Sequence, residues 1–238
     1  MTAFWSMVKK DYQMIFPKKY TLYAIAVLLF SISFGFLYLF STVTQVPNAT
    51  QIHWMYTWLL FALPGFSSAL IYYEWNHKTM GWWLSSPYPH WWLIATKCTA
   101  MFLRTLQILS LIFIILNVNI YLFTLIKPNI LGNMSWEVLI LNQLKLMGEY
   151  LLYAPYLITL GIFGGVLNFS YIKFVSIPVW FLFGITSPFF IFRRIATMAK
   201  LNWDILDTSL WIIGSISLLL TFIFFAGSIY TIKNKMEI

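Results

Sequence analysis

The chain has little charge. Asp, Glu, Lys and Arg make up 9% of its 238 residues, against about 25% in soluble domains. So little polar surface cannot cover a soluble globule. A single cysteine, Cys98, excludes an internal disulfide and reads as a small apolar filler near a helix end. The three histidines, His53, His77 and His90, are scattered, which argues against a shared metal site. No G-x-x-x-x-G-K-[ST] and no H-E-x-x-H occurs, so neither a P-loop nor a zincin motif is present. Acidic residues are scarcer than basic ones, 7 against 15 Lys and Arg, for a net charge of +8. In so apolar a chain that excess reads as the basic bias of cytoplasmic loops, not as a nucleic-acid surface. The strand-length alternation of an outer-membrane barrel is also missing.

What is plentiful is apolar: 61% of residues are hydrophobic and 20% aromatic. Runs of roughly 20 apolar residues recur, the length needed to cross a bilayer as a helix. They place spans at 20–41, 54–73, 99–126, 136–168, 173–192 and 208–230. The expected fold is an all-α integral membrane protein, one domain over 1–238 with six transmembrane helices. Pro64-Gly65 predicts a kink in the second span. The fourth helix is longer than one crossing requires.

Residues 1–19 carry no cleavable signal, because Lys9, Lys10, Lys18 and Lys19 interrupt them. Phe4, Trp5, Val8, Tyr12, Ile15 and Phe16 recur at helical spacing with Lys9, Lys10, Asp11 and Gln13 between them. This predicts an amphipathic interfacial helix, lysines toward headgroups, ended by Pro17. Six spans put both termini on one side. Lys9, Lys10, Lys18, Lys19, Lys78, Lys97, Arg104, Lys173, Lys233 and Lys235 share that side, which predicts cytoplasmic termini in a plasma membrane. Arg104, about one turn inside the third span, is expected to snorkel outward. Arg193 and Arg194 fall on the opposite side, as headgroup anchors.

Polar residues within spans invite functional readings. Asn142, Lys145 and Glu149 share a face of the fourth helix, and Tyr153 and Tyr156 continue it. They read as a polar lining to a substrate path, or as part of a helix end standing among headgroups. Lys97, Arg104, Gln107 and Asn117 fall near one face of the third span and suit helix–helix hydrogen bonding. Gly161-x-x-x-Gly165 permits close helix packing. Asp204 and Asp207 could be a metal pair, but Asp207-Thr208-Ser209 reads better as the cap of the sixth helix.

The densest tryptophan stretch is the connection between the second and third spans. It reads Glu74-x-x-x-Lys78-Thr79-x-Gly81-x-x-Leu84-x-Ser86-Pro87, with Lys97 following. This pattern, with the length and topology of the whole chain, resembles ABC-2-type transporter permeases (type V exporter-like). Lys78-Thr79 stands where that family usually has Gly-Thr, and the tryptophan load is unusual. The resemblance implies a permease subunit whose elbow helix is 1–19 and whose cytoplasmic coupling loop is 74–92. It implies ATPase contact through Glu74, Lys78, Thr79, Gly81, Trp82, Trp83, Leu84 and Pro87, with Trp91 and Trp92 as interfacial belt. It implies a separate ABC ATPase chain that binds ATP and Mg, a second permease copy or paralogue, and surrounding lipids, with no cofactor or catalytic site in this chain. The short outer loops favour a lipid-like or amphipathic substrate, and the resemblance points to an amphipathic or hydrophobic peptide. Two alternatives stand beside this: an intramembrane lipid-modifying enzyme using Glu149 and Lys145, and a non-transporting immunity or regulatory subunit.

Overall fold

The computed structural model describes residues 2–15, 23–24, 27–35, 49–79, 81, 85, 87–126, 135–181, 183 and 206–236. The rest of the first and fifth expected spans, the turn at Pro17, Arg193, Arg194 and Asp204 lie outside the described residues. So do Trp82, Trp83 and Leu84. Among the described residues the structure is helical, with one isolated bridge between Ser170 and Met236. The long helices are α1 Thr2–Ile15, α2 Ala49–Asn76, α3 His90–Ile126, α4 Trp136–Asn168 and α5 Leu206–Lys235. Among the described residues three segments, His90–Ile126, Trp136–Asn168 and Gly214–Asn234, are long and apolar enough to cross a membrane. At 1.5 Å per residue, the 37 residues of α3 reach about 55 Å, well beyond a single perpendicular crossing of about 30 Å.

Local chemistry sets the helix ends. Ser135 caps α4: its hydroxyl accepts the Val138 N–H at 3.4 Å and its carbonyl accepts the Leu139 N–H at 3.2 Å, satisfying donors that a first turn leaves open. Pro87 and Pro89 precede α3, where a proline cannot continue a helix from behind. Two prolines, Pro64 and Pro155, lie inside α2 and α4. Each removes a backbone donor from its helix.

The chain forms two compact units. The first comprises Met1–Ile15, Leu60–Thr105 and Leu152–Ile238. Within it α4 lies tightly on α2 at Gly161 and Gly165. A Cβ on Gly161 would fall on the carbonyl oxygen of Pro64, 2.7 Å from its Cα and 2.8 Å from Ser67 Cβ. A Cβ on Gly165 would lie 3.2 Å from Ile71 Cβ. Such contact is what small residues four apart permit. α5 joins the same unit, where Ser217 Oγ donates to the Leu152 carbonyl at 2.7 Å and Phe224 packs on Tyr156 and Phe163.

The second unit comprises Phe16–Leu59 and Leu106–Leu151. Its core holds Leu109, Ile112, Leu116, Ile120 and Phe123 of α3 with Leu139, Leu146 and Tyr150 of α4. Side-chain amides stitch it together: the half-buried Asn117 donates to the buried Gln143 Oε1 at 2.8 Å, and the buried Asn119 donates to the hydroxyl of Ser33. Ile114, Val118, Tyr121 and Leu125 form an exposed stripe at spacings of three and four along α3, the outer face expected of a helix in hydrocarbon.

Candidate functional site

The first unit contains a cluster of buried charges. Lys97 is 2% exposed, Asp11 and Glu74 not at all. The Lys97 ammonium lies 2.7 Å from Glu74 Oε2 and 3.3 Å from Asp11 Oδ1. Lys10, partly solvated, lies 3.7 Å from Glu74 Oε1. Two lysines therefore face two carboxylates, and the cluster is neutral. Charges leave water only when paired this way.

Each member comes from a different element. Asp11 stands on the buried face of α1, in the stripe Phe4, Val8, Asp11 at spacings of four and three, while Lys9 and Gln13 face outward. Glu74 is in the last turn of α2 and Lys97 in the second turn of α3. One ammonium thus ties together three helices that converge at the loop joining α2 to α3.

A second contact holds α1 to α3. Arg104 lies seven residues after Lys97, on nearly the same face. Its guanidinium donates to the carbonyl oxygen of Tyr12 at 2.8 Å and covers the Tyr12 ring at 3.8 Å. Tyr12 lies in the last turn of α1, where carbonyls lack helical partners and the helix dipole favours a cation. Arg104 is therefore a buried latch between α3 and α1.

The loop itself starts with a tight helix stop. The Lys78 N–H donates to the Trp75 carbonyl at 3.0 Å, and the Thr79 hydroxyl donates to the Glu74 carbonyl at 3.1 Å. Lys78 adopts φ 55, left-handed backbone that glycine occupies without strain and lysine does not. Lys78 thus occupies what is conformationally a glycine position. Lys78→Gly should raise stability by about 1 kcal/mol, read as a higher unfolding midpoint in detergent; a lower midpoint would contradict the strain.

Beyond the stop, the Ser85 N–H bonds the Gly81 carbonyl at 3.1 Å, and Gly81, Pro87 and Tyr88 are exposed. The loop closes on an aromatic stack. Trp92 lies between Tyr88 (5.6 Å, parallel) and Phe4 of α1 (5.7 Å, edge-on). Trp92 is therefore a packing residue of the α1–α3 junction, whereas Trp91 is exposed.

The structure divides the residues read from the sequence. Of the loop residues, Lys78, Gly81 and Pro87 are exposed and Thr79 is half-buried. Glu74 is fully buried and acts from inside the protein, not as a contact surface. The polar stripe of α4 is split: Asn142, Lys145 and Glu149 belong to the second unit, Tyr153 and Tyr156 to the first. Lys145 is exposed, Glu149 is buried, and Asn142 is half-buried. Gln143, next to Asn142, is the amide of α4 that bonds another helix. Sequence reading missed the roles of Asp11, Lys10 and Gln143. The available signal was Asp11 standing in the apolar register of α1. No group of three metal-ligating side chains occurs among the described residues. In comparisons with known proteins, no family model, curated protein or solved structure matches the chain.

Proposed function

We propose that the chain is the permease subunit of an ATP-driven exporter of the ABC-2 type. It spans the plasma membrane six times with cytoplasmic termini, and a separate ATPase chain supplies hydrolysis. The observation that carries this reading is the buried Lys97–Glu74–Asp11 cluster at the base of the α2–α3 loop. A loop that receives force from a partner needs rigid roots. Here its two ends are joined by a 2.7 Å ion pair and held against an amphipathic helix. The motif residues Glu74, Lys78-Thr79, Gly81 and Pro87 supply, in order, the buried root, the helix stop and the exposed turn. A short exposed segment with aromatic anchors suits a groove on a soluble partner. The preferred substrate is amphipathic, with a peptide favoured, and the working unit contains two permease copies.

An intramembrane enzyme built on Lys145 and Glu149 draws less support, because one of these is exposed and the other buried. The proposal is tested by isolating the tagged chain from native membranes and measuring ATP hydrolysis of the complex in nanodiscs. A co-isolated ATPase should be present, and Trp82→Ala with Trp83→Ala should reduce its substrate-stimulated rate at least tenfold while the chain still inserts. Stimulation equal to that of the unaltered complex would remove the coupling role of the loop.

A further inference from the structure

Three chain segments meet at one end of the first unit. Trp75, near the end of α2, stacks on Phe169 just beyond α4, with ring centroids 4.5 Å apart. Ser170 forms the bridge with Met236, just beyond α5, and its carbonyl accepts the Lys173 N–H at 3.0 Å. Segments far apart in sequence are thereby fixed within a few residues of one another.

Among the described residues the exposed charges at this junction are of one sign; Glu237 lies outside the described residues. Lys78 follows Trp75, Lys173 follows Ser170 and Lys233 precedes Met236, and all three are exposed. None of them makes an ion pair among the described residues. The only acidic side chain in 72–79, 169–175 or 230–236 is Glu74, which is buried against Lys97. Beside the lysines runs an apolar stripe. Tyr171, Phe174, Ile177 and Phe181 are exposed at spacings of three, three and four, starting from the turn that carries Lys173. Basic groups at the edge of an exposed aromatic stripe are the arrangement of a headgroup–hydrocarbon boundary. An acidic protein partner would match the lysines but not the stripe that continues from them.

We propose that Lys78, Lys173 and Lys233 form a binding site for the phosphate of an anionic phospholipid, with its acyl chains along Tyr171, Phe174 and Ile177. The site rests on the membrane reading of the chain and is independent of the partner ATPase. Ammonium groups bind phosphate as compact point charges, and each near an anionic surface strengthens binding about fivefold.

The test is a titration of the detergent-purified chain with phosphatidylglycerol, with phosphatidylcholine and inorganic phosphate in parallel, followed by native mass spectrometry and unfolding midpoint. Phosphatidylglycerol should bind and stabilise, and the other two should not. Lys173→Gln and Lys233→Gln should each weaken binding about fivefold, and together roughly 20-fold. Glu137→Gln, at an exposed charge of the other unit, should leave binding within twofold. Equal binding of phosphatidylcholine, equal stabilisation by free phosphate, or equal losses in all three single variants would each overturn the site. None of these readouts involves ATP, so a failure here is separate from a failure of the exporter reading.

Discussion

Lys97→Met is expected to destabilise the protein by about 3–5 kcal/mol, the usual result of removing one partner from a buried ion pair. Lys97 is shared by two carboxylates that have no exposure of their own. Without it, Asp11 keeps no cation among the ion pairs of the described residues, and Glu74 keeps only Lys10 at 3.7 Å. A buried carboxylate so deprived must protonate or draw in water, and both outcomes loosen α1 from α2 and α3. The triple change Lys97→Met, Glu74→Gln, Asp11→Asn removes the three buried charges while nearly keeping their shapes, leaves only the partly solvated Lys10, and should recover most of the loss. Neutralising a whole buried cluster is far less costly than orphaning part of it. Unfolding by denaturant in micelles distinguishes the two. A Lys97→Met protein within 1 kcal/mol of the original would mean that the cluster is solvated.

Gly161→Val is expected to be comparably damaging. The added Cβ would land on backbone, the Pro64 carbonyl and Cα, where no rotamer change can give way. Overpacking typically costs 1–3 kcal/mol and more when rigid atoms are involved, so a loss of about 3 kcal/mol or failure to fold is the expected outcome. Gly165→Ala meets its nearest atoms at 3.2 Å and should lose roughly 1 kcal/mol. Gly148 has nothing within 4 Å of its Cβ position, so Gly148→Ala should instead gain about 0.5–1 kcal/mol from helix propensity. The order Gly148→Ala, Gly165→Ala, Gly161→Val in unfolding midpoint is the check. Equal tolerance at all three positions would contradict the packing of α4 on α2.

The helices were legible because their signals are local. Apolar runs long enough to be helical announce α3 and α4. The start of α3 at His90 lies earlier than the apolar run at Thr99 implies, because Trp91 and Trp92 continue the helix into the loop. The close approach at Gly161 and Gly165 was also written in the spacing, though its partner was not. The charge cluster was not legible, because it depends on three helix ends meeting. Asp11 in isolation resembles any polar residue of an amphipathic helix. Only Lys97 and Glu74 beside it show why it stands in line with Val8. Lys97 and Arg104 suited helix–helix hydrogen bonding from their shared face, but their partners, an acid for Lys97 and a carbonyl for Arg104, come from α1. The φ of Lys78 was hinted only by its deviation from a glycine in a resembling pattern.

The most direct measurement of the exporter proposal is ATP hydrolysis by the chain reconstituted with the proposed ATPase, carrying the triple change Lys97→Met, Glu74→Gln, Asp11→Asn. The account predicts that the complex still assembles and that its basal hydrolysis persists. Stimulation by substrate should fall at least fivefold, because the loop has lost its rigid root. A folded triple variant with stimulation undiminished would contradict the claim that this cluster couples the α2–α3 loop to the helices.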